Sequence, residues 1–190
     1  MKLSRDQALV LLQEYNENEA LIRHALQVEA AMKYWALKAG LNEEEVEEWR
    51  VVGLLHDLDY EKWPEKHCVK SAEILRANGV DEELVRAVLS HGYGLCTDVE
   101  PVSSMEKTLY AVDELTGLIY ATALMRPSRS VLDLELKSLK KKFKTPSFAA
   151  GVNREVIKRG AEMLGIEMDE LMHETIMAMR ELEKGKRMHE

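Results

Sequence analysis

Six side chains of the kinds that bind metal ions are spread along the first 113 residues: His24, His56, Asp57, His67, His91 and Asp113. Imidazole nitrogens and carboxylate oxygens are ligands for first-row divalent metals such as Fe, Mn, Co, Ni and Zn. A carboxylate shared by two such ions lets both acidify one water, which yields hydroxide near neutral pH. His56 and Asp57 are adjacent in "LLHDLDYEKW", directly behind an apolar helical pair, and the other four are distributed before and after them. Taken singly, each histidine is more commonly a packed or solvated side chain, and a His-Asp dipeptide arises by chance. The ordered set is far harder to obtain by chance, because its members fall at the apolar borders of five successive helical patterns. His173, in "DELMHETIM", has no acidic or imidazole partner in its pattern, and His189 belongs to a terminus expected to fray, so both stand outside the set.

The elements that must carry these residues are helical. Ser4-x-x-Gln7, Asn42-x-x-Glu45 and Ser103-x-x-Glu106 have the spacing of capping boxes, in which two side chains satisfy orphan backbone N–H groups reciprocally. A second helix is expected from about Asn18 to Ala39, with Leu21, Ala25, Val28, Met32 and Trp35 as its buried stripe and His24 pointing inward. A third runs from Asn42 to His56-Asp57 and stops at the turn "DYEKWP". Pro64 suits the first turn of a fourth helix containing His67, Ala72 and Leu75, and Asp81 is expected to cap a fifth that ends at His91. The sixth carries Asp113 and is broken at Arg126-Pro127. A basic stretch, "ELKSLKKKFK", and the loop "PSFAAGVNRE" then lead into two more helices. No alternating pattern is long enough to require a sheet, so the fold class is all-α.

Composition agrees. With 46% hydrophobic and 32% charged residues, and only 10 Gly and 4 Pro in 190, the chain reads as one helix-rich globular domain over 1–190. A net charge of −8 argues against binding duplex nucleic acid, which needs an excess of Lys and Arg. No apolar run is long enough to span a bilayer and the charged start lacks a signal-peptide core, so the expectation is a cytoplasmic protein with no membrane partner. Cys68 and Cys96 are too few for a disulfide framework and suit reduced thiols; Cys68 is expected to be a small core filler.

The order H…HD…H…H…D, with "LLHDLDYEKW", "HCVKSAEIL", "LSHGYG" and "KTLYAVDELTG" around it, resembles the HD superfamily of metal-dependent phosphohydrolases over about Ala20 to Tyr120. The resemblance implies an HD-domain helical bundle, with a metal-binding core at about 18–125 and a C-terminal helical extension at about 128–190. It implies His24, His56, Asp57 and Asp113 as ligands of a mononuclear centre. His67 and His91 would serve a second ion, with Asp57 bridging and His56 and Asp57 at the catalytic centre. The motif order is similar to that of the symmetrical diadenosine tetraphosphatases, from which this sequence departs at Val112-Asp113, at Asp59-Tyr60 and in its basic segment. Uncharacterised predicted HD hydrolases are similar through "DELTGLI" and "KSLKKKFK…FAAGVNRE".

The implied reaction is hydrolysis of a phosphoester or phosphoanhydride in a small phosphorylated substrate, a nucleotide among the candidates. One or two divalent ions would be the cofactor. Such a substrate calls for cations, and Lys62, Arg126, Lys137, Lys141 and Arg154 are the candidate substrate contacts, alongside Lys140, Lys142 and Lys144 in the basic run. The alternative use of that run is a solvated helix face. Asp59, Tyr60, Glu61 and Lys62 either support the ligands from behind or face the substrate, and Tyr60, Trp63 and Tyr93 either stack on a base or cap the packing. Two rival functions remain open at this point, a di-iron oxygenase of the same fold and a non-catalytic nucleotide-sensing bundle; the filled ligand set argues against the second. A homodimer is one use of the apolar stripes on the last two helices, and packing on the bundle is the other.

Overall fold

The computed structural model describes residues 1–188; His189 lies outside the described residues. Among these, nine α-helices follow one another: α1 (Arg5–Tyr15), α2 (Glu19–Lys38), α3 (Glu43–Leu55), α4 (Val69–Ala77), α5 (Glu82–Ser90), α6 (Ser104–Leu124), α7 (Leu136–Phe143), α8 (Arg154–Leu164) and α9 (Met168–Arg187). The three capping boxes form as their spacing predicts, with Ser4, Asn42 and Ser103 each accepting from the backbone three residues on. The protein is all-α.

Small residues set the contacts of α3 with α2 and of α8 with α6. Gly53 lets α3 lie directly on α2, because a Cβ there would sit 2.9 Å from Met32 Cγ and 3.0 Å from the Val28 carbonyl oxygen. Gly160 does the same where α8 crosses α6, at 2.5 Å from Ala111 Cα. One apolar cluster runs through the helices, with Val28, Met32, Leu54, Leu55, Leu109, Leu115 and Ile157 at its centre. Glu29 is buried on α2 and is satisfied by Arg5 of α1, at 3.0 Å, and Arg50 of α3, at 2.8 Å. A buried carboxylate with two guanidinium partners welds three helices together. The stripes of the last two helices are spent within the chain: Val156 and Ile157 of α8 and Leu171, Met172, Ile176 and Met179 of α9 are buried, α8 against α6 and α9 against α2 and α6.

Two local expectations are corrected. Pro64 does not begin a continuous fourth helix; it opens a single 3₁₀ turn, Pro64–Lys66, and the chain then breaks at His67 and at Cys68, whose φ is +71°. α4 starts only at Val69, so His67 stands on the break and not on a helix. Asp81 occupies the first position before α5 without capping it, because its carboxylate is taken by the N-terminal ammonium of Met1.

Candidate metal centre

Two helix ends, two helix faces and two breaks in the chain bring the centre together. His24 sits on α2, His56 terminates α3, Asp57 begins the turn behind it, His91 terminates α5, and Asp113 lies midway along α6. The close approach of α2 and α3 at Gly53 places His56, three residues later, against His24: their Nε2 atoms are 3.2 Å apart. Asp113 Oδ1 is 3.0 Å from His24 Nε2 and 3.3 Å from His56 Nε2, and Asp57 Oδ2 completes the group at 3.2 Å from His56 Nε2. On the other side, Asp57 Oδ1 lies 3.3 Å from both His67 Nε2 and His91 Nε2, which are themselves 3.1 Å apart. The two groups share Asp57, one oxygen in each.

These separations are those of donor atoms around an ion. Ligand atoms about 2.1 Å from one metal lie about 3.0 Å apart at a right angle and about 3.4 Å apart at the tetrahedral angle. The tautomers fit as well. His56 Nδ1–H donates to the Gly53 carbonyl at 2.8 Å, His91 Nδ1–H to the Val88 carbonyl, and His67 Nδ1–H to Asp59 Oδ1 at 2.7 Å. With Nδ1 carrying the proton, each Nε2 turns a lone pair toward the shared space, the arrangement a metal-bound imidazole needs. Asp59 is fully buried and its second oxygen accepts from the Ser71 N–H at 2.8 Å, so its carboxylate is fixed on both sides.

The site attracts cations. Burial works against protonation of His56, yet the Asp57 and Asp113 carboxylates outweigh it and raise its pKa well above the usual imidazole value. His67, likewise opposed by burial, is pushed up to about 10 by Asp57 and Asp59. Burial tends to raise the Asp57 and Asp113 carboxyls, but the charge of His56 and the imidazole hydrogen bonds hold both below the ordinary carboxylate range. The field that holds a proton on an imidazole here is the field that draws a metal ion.

A cavity of about 370 Å³ opens over the two groups. His24, Asp57, His67, His91 and Asp113 line it, whereas His56 is buried beneath. Its rim carries Tyr60, edge-on to His67 with ring centroids 5.1 Å apart, and the exposed Leu95. Glu114 and Gly92 also line it without any site role expected from the sequence, as does Cys96, expected only as a reduced thiol. Glu114 accepts from the Asn153 N–H at 3.0 Å, and burial followed by the charge of Asp113 raises its pKa. No sequence signal separates Glu114 from other surface acids; only the direction of α6 turns it to the cavity. Cys96 Sγ is 2.7 Å from Cys68 Sγ, and the hydrogen bond from Cys68, against the effect of burial and with help from His67 and His91, lowers its pKa to about 6.

None of the five candidate substrate cations lines this cavity. Lys62 donates to the Glu14 carbonyl at 2.9 Å and lies over the Tyr15 ring. Arg126 forms a fork with Asp133, at 2.8 and 3.3 Å. Arg154 is spent on the loop between α7 and α8, reaching the carbonyls of Lys142, Phe143, Thr145, Phe148, Ala149 and Val152. Lys137 and Lys141 are exposed on α7, beside Lys140, which pairs with Asp169, and Lys142, which covers the Phe148 ring. His173 is exposed on α9, apart from the centre. Trp63 and Tyr93 pack against Tyr15 and Tyr110.

An all-α bundle that gathers imidazoles and carboxylates from successive helices and the turns behind them into one cavity belongs to the class of helical proteins with a histidine–aspartate centre able to hold a metal ion. Within that class, the family model described as HD domain matches residues 21–118, just over half the chain, and the chain belongs to that family. Its members are mostly metal-dependent hydrolases of the phosphohydrolase type. Neither a curated protein nor a solved structure matches the chain. No described helix is long and apolar enough to cross a membrane.

Proposed function

We propose that this HD-domain protein is a metal-dependent phosphohydrolase with a two-ion centre, acting on a small phosphorylated molecule. The observation that carries the reading is the placement of Asp57, whose Oδ2 faces His24, His56 and Asp113 while its Oδ1 faces His67 and His91. Divalent ions held there would supply an acidified water and positive charge for phosphoryl oxygens. The chain's own residues have three tasks. His24, His56, Asp57 and Asp113 hold one ion, and Asp57, His67 and His91 the other; Gly53, Val88 and Asp59 fix the imidazole tautomers. Tyr60 and Leu95 give the rim an apolar face for the organic part of the substrate, a nucleoside base being one that Tyr60 can stack on. A cavity of about 370 Å³ suits a small molecule and not a polymer.

One observation favours the di-iron oxygenase as a second reading: the cavity wall contains no Lys or Arg among the described residues, so the site is not committed to phosphate by its own cations. Metal analysis of the purified chain, followed by measurement of phosphate release from a panel of phosphomonoesters and nucleotides with Mn²⁺ or Fe²⁺, separates the readings. Two ions per chain and metal-dependent phosphate release, lost in Asp57→Ala with helical content retained, is the expected result. Absence of any bound or bindable transition metal overturns both readings. Oxygen uptake coupled to substrate loss, with no phosphate released, establishes the oxygenase instead.

A further inference from the structure

Cys68 and Cys96 stand 28 residues apart in sequence, yet their sulfurs are 2.7 Å apart, inside ordinary non-bonded contact. The approach is built into both segments. Cys68 is fully buried and holds a φ of +71°, a region that residues with a side chain enter at a cost, and this turns its sulfur toward the turn after His91. Cys96 is exposed on that turn, which is closed by the Cys96 and Thr97 N–H groups donating to the Gly92 carbonyl at 2.9 and 3.1 Å. Gly92 makes the room: a Cβ there would collide with both sulfurs. His67, Cys68 and Cys96 together have the spacing of a third metal group. His67, however, gives Nδ1–H to Asp59 and turns Nε2 to Asp57 and His91, so it has no lone pair left for that group. The two sulfurs remain as a pair.

We propose that Cys68 and Cys96 are a modification site, a dithiol that a hydroperoxide closes to a disulfide, bracing the His67–His91 side of the centre. Cys96, the exposed member, reacts first: its sulfur takes one oxygen from the peroxide as the S–O bond forms and the O–O bond breaks, and the thiol proton leaves with the departing alcohol or water. The Cys68 sulfur then attacks the Cys96 sulfenic acid; the S–S bond forms, the S–O bond breaks, and hydroxide leaves with the Cys68 proton as water. In sum, two thiols lose two electrons and two protons, and one peroxide is reduced. One bridged residue directly follows His67 and the other lies in the turn behind His91, so the bond ties together the two segments that deliver those imidazoles.

The test uses the full, Mn²⁺-loaded chain treated with near-stoichiometric hydrogen peroxide and read by intact mass, thiol titration and non-reducing peptide mapping. The expected result is a loss of about 2 Da, the two hydrogens of a bridge. Both free thiols disappear, a Cys68–Cys96 cross-linked peptide forms, and dithiothreitol reverses the change. Cys68→Ser should instead accumulate oxygen on Cys96, and Cys96→Ser should keep its buried thiol. Gain of oxygen by the wild type without loss of two hydrogens, a bridge between chains, or a Cys96→Ser variant that oxidises as fast as the wild type overturns the dithiol. A second arm rests on the proposed centre: EDTA should strip the more labile ion several-fold more slowly from the oxidised wild type than from the reduced, with no such difference in Cys68→Ser, and equal rates refute the bracing. A chain that forms the bridge but binds no metal would sink the centre and leave the dithiol standing.

Discussion

Replacing Asp59 by Asn separates the two halves of the centre. Asp59 touches no proposed ion; it accepts from His67 Nδ1–H at 2.7 Å through one oxygen and from the Ser71 N–H at 2.8 Å through the other. An asparagine has one oxygen and one NH₂ in those places. If the oxygen faces His67, the NH₂ confronts the Ser71 N–H, and two buried donors are left without an acceptor. If the oxygen faces Ser71, the NH₂ confronts His67, which must then become an acceptor at Nδ1 and carry its proton at Nε2, the atom needed by the ion. Either arrangement loses one charge-assisted bond, about 1.5–3 kcal/mol of stability. It also weakens the second ion by about 10–100-fold, the usual cost of losing a carboxylate behind a metal-bound imidazole. The polar partners of Asp59 are His67 and Ser71 and not the first ion's residues His24, His56 and Asp113, so that ion's affinity should hold. The group of four donors should bind more tightly than the group of three, so calorimetric titration of the metal-free variant with Mn²⁺ should show the tighter step unmoved and the weaker step displaced. Equal weakening of both steps, or of neither, would refute the reasoning, because it would mean that Asp57 does not divide its oxygens between two ions.

Other substitutions probe the scaffold. Gly53→Ala forces a Cβ against Met32 and the Val28 carbonyl and should cost about 1–3 kcal/mol in chemical denaturation, while His56 moves with α3 and the tighter metal step weakens. Gly160→Ala meets the backbone of Ala111, which cannot yield, so it should destabilise by about as much or more, and an unchanged denaturation midpoint would contradict the packing of α8 on α6. Arg154→Ala should cost about 2–3 kcal/mol and speed amide exchange across 142–153, because six carbonyls lose the guanidinium and only those of Lys142, Thr145 and Ala149 keep a backbone N–H; a rise in KM at unchanged stability would instead make Arg154 a substrate contact. Arg126→Ala breaks a solvent-exposed fork with Asp133 and should leave both the denaturation midpoint and phosphate release unchanged.

The sequence made the helical frame legible because capping chemistry is local: Ser4, Asn42 and Ser103 need only a partner three residues on, and all three boxes close. The six ligand-type residues were legible as an ordered set, since successive helices that pack as neighbours carry order into space. What local pattern does not encode was lost. Pro64 is equally at home in a 3₁₀ turn and an α-helix, so the break that frees His67 is decided by the buried Asp59 that holds its ring. Arg154 looked like a phosphate ligand because a guanidinium that grips carbonyls and one that grips phosphate are the same residue in a sequence. Cys68 and Cys96 meet only because two turns fold onto one side of the centre, and nothing in the spacing of 28 announces it.

The charge of the cavity bears on why two ions matter to the proposed reaction. Its wall presents three carboxyl groups, Asp57, Asp113 and Glu114, and no Lys or Arg among the described residues, so in the metal-free site only the protonated His56 and His67 imidazoles offset the carboxylates, and a metal ion displaces those protons. With all three ionised, one divalent ion leaves the wall net negative, and only a second makes it net positive. Under the proposed two-ion reading, a phosphate dianion would therefore be accepted in proportion to occupancy of the weaker, three-donor cradle formed by Asp57, His67 and His91. In this reading the metals supply the attraction that the lysine run on α7 was expected to supply. Loosening the weaker cradle through Asp59→Asn should then appear as a higher KM for dianionic substrates that added Mn²⁺ restores, and a fall in kcat that added metal leaves untouched would argue against it.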